Sequence, residues 1–170
     1  MRRLLMCIFT FLFFASCLAQ NKHPFTFEDM MALKRVGEPV PSPDGKWVLF
    51  SAVDVNLDAN TKTPHVWIVP LAGGESREII SDQDADRPRW APDGKRFLFV
   101  SSKEGGSQVW IADFEGSAGT VTGRHKLTSL ATGADGPIWS PDGKNIAFTS
   151  RVYPGCADEA CNKKKMDDVA

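Results

Sequence analysis

The phrase Pro-Asp-Gly-Lys occurs three times, at Pro43–Lys46, Pro92–Lys95 and Pro141–Lys144, and its aspartates stand 49 residues apart both times. The match runs wider than four letters. Pro39, Pro88 and Pro137 stand five residues before each Asp, and Phe50, Phe99 and Phe148 six residues after it. Trp90 and Trp139 share a position that Pro41 fills in the first copy. A fixed period of this length with strand-forming content is the mark of a propeller built from repeated blades.

Each repeat reads as turn and strand. Pro presets φ, Asp bonds back to its own backbone and Gly accepts a positive φ, so Asp44-Gly45, Asp93-Gly94 and Asp142-Gly143 are structural turns. The runs that follow, Trp47–Phe50, Phe97–Val100 and Ile146–Phe148, are too short for helices and rich in strand formers, and they read as strands buried on both faces. Val66–Val69 and Val109–Ala112 supply a second strand, and Arg77–Ile80 and His125–Thr128 a closing one after glycine-rich turns. That makes about four short strands per unit, the content of one blade. The fold class is all-β, an incomplete propeller of about two and a half blades. The blades are expected at 39–80, 88–131 and, in part, 137–170, with the chain stopping before any catalytic domain.

Residues 1–19 stand apart. Arg2-Arg3, the apolar stretch Leu4–Phe14 and the small-residue exit Ala15–Ala19 have the form of a secretory signal peptide, cleaved after Ala19. The chain is then exported, to a periplasm or the medium. Phe14-Ala15-Ser16-Cys17 also has the shape of a lipoprotein box, which would instead anchor the protein to a membrane through Cys17. Between signal and first blade, residues 20–38 hold a short amphipathic helix. Thr26 is its N-cap, Glu28 and Asp29 its first turn and Lys34-Arg35 its last, while Phe27, Met30 and Leu33 share a face toward the propeller.

Composition excludes several classes. Without residues 1–19, 18 basic and 21 acidic residues leave a net charge of −3, which is no nucleic-acid footprint. The one basic run, Lys163–Lys165, is followed by Asp167-Asp168 and reads as a solvated loop. Cys156 and Cys161 remain after export, and a local disulfide pinning a loop is the favoured reading in an oxidising compartment. A zinc pair is the rival, and no second ligand pair stands at a suitable spacing.

The chain offers no catalytic, cofactor or metal site. G-x-S-x-G is absent, since Gly74-Glu75-Ser76 and Gly106-Ser107 lack the closing Gly. His23, His65 and His125 are scattered. Asp82-Gln83-Asp84-Ala85-Asp86 could hold a cation or an amine at a propeller rim, but Asp86 recurs as Asp135, which favours a turn-capping role. Asp158-Glu159 could be an amine-binding pair, and reads more simply as solvated acids.

The repeat P-x-W-[SA]-P-D-G-K-x-[ILF]-x-F, then [IV]-W-[IV], resembles TolB-type periplasmic propellers and, more closely, the exported prolyl oligopeptidase family of serine peptidases. Phe25–Met30 leading into Pro39–Asp44, the segment Thr63–Leu71 and the insertion Val152–Lys164 carry the closer likeness. The resemblance implies a two-part enzyme. Its propeller would gate access for short peptides to a C-terminal α/β-hydrolase domain, where a Ser-Asp-His triad works through an acyl-enzyme. None of those catalytic residues falls within 1–170. The alternative implied by TolB is a non-enzymatic envelope propeller that binds protein partners.

Overall fold

The computed structural model describes residues 23–82 and 84–169, so the signal segment and Cys17 lie outside it. The first helix, α1 (Phe27–Ala32), is closed by a reciprocal cap. The Asp29 N–H donates to Thr26 Oγ1 at 3.2 Å, and the Thr26 N–H donates to Asp29 Oδ2 at 2.9 Å. The helix is shorter than the sequence suggests and buries no residue; Phe27 and Met30 are exposed. Six residues are fewer than two turns, too few to build an apolar stripe. Lys34 and Arg35 fall outside it, because Arg35 and Val36 are drawn into a strand, β1 (Arg35–Val36), against Val53 and Ala52.

Among the described residues three antiparallel sheets follow. In the first, β1 and β2 (Val40–Pro41) share one edge of β3 (Trp47–Asn56), followed by β4 (Thr61–Pro70) and β5 (Arg77–Ile80). The second runs β6 (Asp86–Trp90), β7 (Arg96–Ser101), β8 (Gln108–Glu115) and β9 (Thr120–Lys126) in simple order. The third pairs β10 (Asp135–Trp139) with β11 (Ile146–Thr149). The first two contain the four-strand meander that makes a propeller blade, the third is a single two-stranded pairing, and among the described residues the sheets do not close into a ring.

Two departures from the sequence reading have local causes. The closing strand of the second sheet starts earlier and stops at Lys126. Thr128 is instead recruited as a side-chain partner: its Oγ1 accepts from the Val109 N–H at 2.9 Å and donates to Gln108 Oε1 at 2.7 Å. After β11 the chain forms a helix, α2 (Glu159–Asp167), and Lys163–Lys165 lie on it rather than in a loop. Asp158 caps it by accepting from the Cys161 N–H at 2.8 Å. Lys163–Asp167 at 3.0 Å and Lys164–Asp168 at 2.7 Å then add i,i+4 pairs.

The core sits between sheets, and strand alternation decides what enters it. Phe97, Phe99, Trp110 and Phe114 of the second sheet turn toward Leu49, Val66 and Ile68 of the first. The intervening Leu98, Val109 and Ile111 turn the other way, onto Ala134 and Trp139. The middle sheet is thus buried on both faces. β11 is not: Phe148, the repeat counterpart of fully buried Phe99, is 41% exposed. Trp90 packs edge-on against Phe114 and Phe97, with centroids 4.8 and 5.6 Å apart. Such pairs each contribute about 1 kcal/mol beyond burial.

Two tryptophans also donate between sheets. Trp90 Nε1 donates to the Val40 carbonyl and Trp47 Nε1 to the Gly116 carbonyl, each at 3.0 Å. Arg77 reaches the Ala118 carbonyl at 3.1 Å across the same boundary. Gly119, at φ +66, permits this approach, since a Cβ there would stand 2.4 Å from the Trp47 ring.

Candidate functional site

The repeat turns are built alike. The backbone N–H of Lys46, Lys95 and Lys144 donates to Oδ1 of Asp44, Asp93 and Asp142 at 3.1, 2.9 and 3.0 Å, and Gly45, Gly94 and Gly143 take φ of +69, +66 and +68. Ser42 and Ser140 add a second layer. Each hydroxyl donates to its aspartate, at 2.6 and 2.5 Å, and accepts from the backbone at the far side of the turn. That hydroxyl first, and the backbone N–H next, hold Asp44 and Asp142 below the usual carboxylate range. These aspartates are engaged within their own turns.

The acidic stretch 82–86 is spent in the same manner. Asp82 is buried with Lys103 Nζ 3.2 Å from Oδ1 and Arg124 Nη1 3.1 Å from Oδ2. Asp84 accepts from Ser102 Oγ at 2.5 Å, and Asp86 from the Arg87 N–H at 2.7 Å. Gln83 lies outside the described residues. Asp158 is the cap of α2, and Glu159 Oε1 accepts from the Ala131 N–H. Among the described residues no group of His, Cys, Asp and Glu could hold a metal ion.

Ser107 donates to the Ala134 carbonyl at 3.0 Å, and His65 Nδ1 stands 3.5 Å from Glu78 Oε1. Cys156 and Cys161 are joined by a disulfide with Cα atoms 5.4 Å apart. It lies within an insertion tied to the loop between second and third sheets. Thr132 Oγ1 donates to the Arg151 carbonyl and Ser150 Oγ to the Gly133 carbonyl, both at 2.6 Å. The 550 Å³ cleft beside this seam is therefore lined by hydroxyls already engaged in holding the insertion.

A second cleft, of 430 Å³, opens between β1 and the start of β6. Arg35, Arg87 and Arg89 line it with Glu38 and Asp86, over Val36, Val53 and Pro88. Arg89 Nη2 meets Glu38 Oε2 at 2.6 Å, and Arg87 Nη1 meets Asp135 Oδ2 at 2.5 Å. Arg87 has φ +55, and its counterpart one repeat later is Gly136 at φ +57. A left-handed conformation costs a non-glycine residue roughly 1–2 kcal/mol. Arg87 also stands 4.0 Å from Asp86 Oδ2, and its closer pair to Asp135 is about half exposed on both sides, 52% and 46%, which limits it to roughly 0–1 kcal/mol. The pair does not offset the strain. None of these arginines stood out by motif; the one legible signal was Arg87 where the next repeat has glycine.

No protein-family profile matches the chain. It is 31% identical over 116 residues to dipeptidyl-peptidase 5 of Trichophyton schoenleinii, a match that covers 63% of this chain and 16% of that protein. The chain thus spans about a sixth of that relative's length. It superposes on TolB from Acinetobacter baumannii with a TM-score of 0.55 and 32% identity, over 71% of this chain and 27% of that one. On the acylaminoacyl peptidase of Pyrococcus horikoshii the TM-score is 0.58 at 20% identity, over 76% of this chain and 19% of that one, a likeness of fold. With its repeats, its open set of blade sheets and these likenesses, the chain matches the propeller portion of serine peptidases of the prolyl oligopeptidase type, and TolB propellers beside it.

Proposed function

We propose that this chain is the N-terminal propeller segment of an exported serine peptidase of the prolyl oligopeptidase type, gating short peptides into an α/β-hydrolase domain that works through an acyl-enzyme. One observation carries the reading. The 31% identity to dipeptidyl-peptidase 5 falls on 16% of that protein, and here it falls on propeller sheets in a chain without G-x-S-x-G. The catalytic serine, aspartate and histidine then belong to sequence beyond residue 170. Residues 1–19 direct export, to a periplasm or the medium, and a membrane is involved only if Cys17 is lipidated. The Cys156–Cys161 disulfide suits that oxidising destination. No cofactor and no nucleic acid enter the scheme.

The complete gene product tests it. It should release fluorophore from dipeptide amides and be labelled at one serine by a fluorophosphonate, losing both on replacement of that serine. Absence of both activities from a folded, complete product would defeat the peptidase reading. A second reading, a TolB-like propeller that binds envelope proteins, is favoured by the 32% identity to TolB, and that outcome would leave it standing.

A further inference from the structure

We infer that the cleft between the first and second sheets is a carboxylate-binding site built on Arg35, Arg87 and Arg89. This inference does not depend on the peptidase reading. Arg89 is paired with Glu38 and Arg87 with Asp135 and, at 4.0 Å, Asp86, so of the three guanidinium groups at the cleft only that of Arg35 lacks a carboxylate partner among the described residues. Arg35 makes no ion pair among the described residues; its Nη2 touches only the soft acceptor Met31 Sδ, at 3.5 Å. Arg89 is paired to Glu38, a side chain 69% exposed and free to swing away. A planar guanidinium fork matches a carboxylate oxygen for oxygen, and an incoming carboxylate would replace Glu38 on Arg89 while engaging Arg35. Val36 and Val53 give the apolar surface on which the body of a small ligand would rest.

Arg87 is the second observation. The chain holds it in a left-handed conformation that its repeat counterpart meets with glycine, and its ion pair to Asp135 is too exposed to account for that. What the arginine secures, and glycine could not, is a guanidinium anchored at the mouth of the cleft. The ligand class is a carboxylate on a small body, a chemistry shared by a peptide's C-terminus and an acidic side chain.

Calorimetric titration of the complete gene product would use four probes at one ionic strength. They are N-acetyl trialanine with a free carboxylate, the same peptide as its C-terminal amide, an N-acetylated, amidated tripeptide with a central aspartate, and inorganic phosphate. The free-carboxylate probe or the aspartate probe should bind, and which one binds identifies the source of the carboxylate; the neutral amide should not bind. Arg35→Gln should weaken binding roughly tenfold, the effect of losing one charge-assisted hydrogen bond. Arg87→Gly should weaken it similarly with an unchanged or higher melting temperature, because glycine suits the backbone there. Equal binding of acid and amide, binding of phosphate as tight as that of the carboxylates, or wild-type affinity in both variants would overturn the site. So would a lowered melting temperature in Arg87→Gly with affinity retained, which would make the arginine structural.

Discussion

Ser42 and Ser140 each hydrogen-bond the aspartate of their turn, whereas the middle repeat has Ala91 at that position. The hydroxyl therefore separates otherwise equal turns. Asp44 and Asp142 sit below their ordinary value of 3.8, Ser42 and Ser140 being the largest cause in each. A carboxyl whose folded pKa is depressed contributes stability that is present above its unfolded value and is lost as pH falls through the folded value. The window for this chain is therefore below about pH 4. Ser42→Ala should raise the Asp44 pKa toward its ordinary value in a carbon-detected titration and leave Asp142 where it is; an unmoved Asp44 would contradict the assignment. At Gly119 the limit is steric. A methyl group there meets the Trp47 ring and forces a strained φ, so Gly119→Ala should destabilise by about 2 kcal/mol in urea unfolding.

Element by element, the chain was legible where side chains repeat and illegible where they do not. The strands announced themselves because Trp, Phe and Pro recur at one period and the core needs them there. α2 was missed because it is an exposed helix without an apolar stripe, and its only signals were the Asp158 cap and two Lys–Asp pairs. Residues Phe27, Met30 and Leu33 suggested a packing face on α1 that a six-residue helix does not form. Phe99 and Phe148 make the packing claim quantitative within one molecule. Phe99→Ala should cost about 4 kcal/mol, as for other fully buried aromatics. Phe148→Ala in this 170-residue chain should cost under about 1 kcal/mol, being partly exposed. Similar losses at both positions would contradict the burial described here. Cys156→Ser should raise amide exchange across residues 153–168 and leave the β7 and β8 amides unchanged, because the disulfide closes only a short local loop.

For the whole molecule, the period of 49 residues read the architecture correctly, because the same turn opens each sheet and Trp90 and Phe99 of the second repeat pack into the core between the first two sheets. The arginine-lined cleft was not legible in the same way. It arises where β1 meets the start of β6, residues about 50 apart in sequence whose meeting only the stacking of sheets specifies. Binding residues that follow no period leave no trace in a repeat. The proposed peptidase reading likewise assigns its chemistry to residues outside the propeller. Determining the coding sequence through and past the codon for Ala170 tests that assignment most directly. The frame should run on through further Pro-Asp-Gly repeats into G-x-S-x-G, with an aspartate and a histidine after it. A frame that closes a propeller and stops without that motif would contradict it.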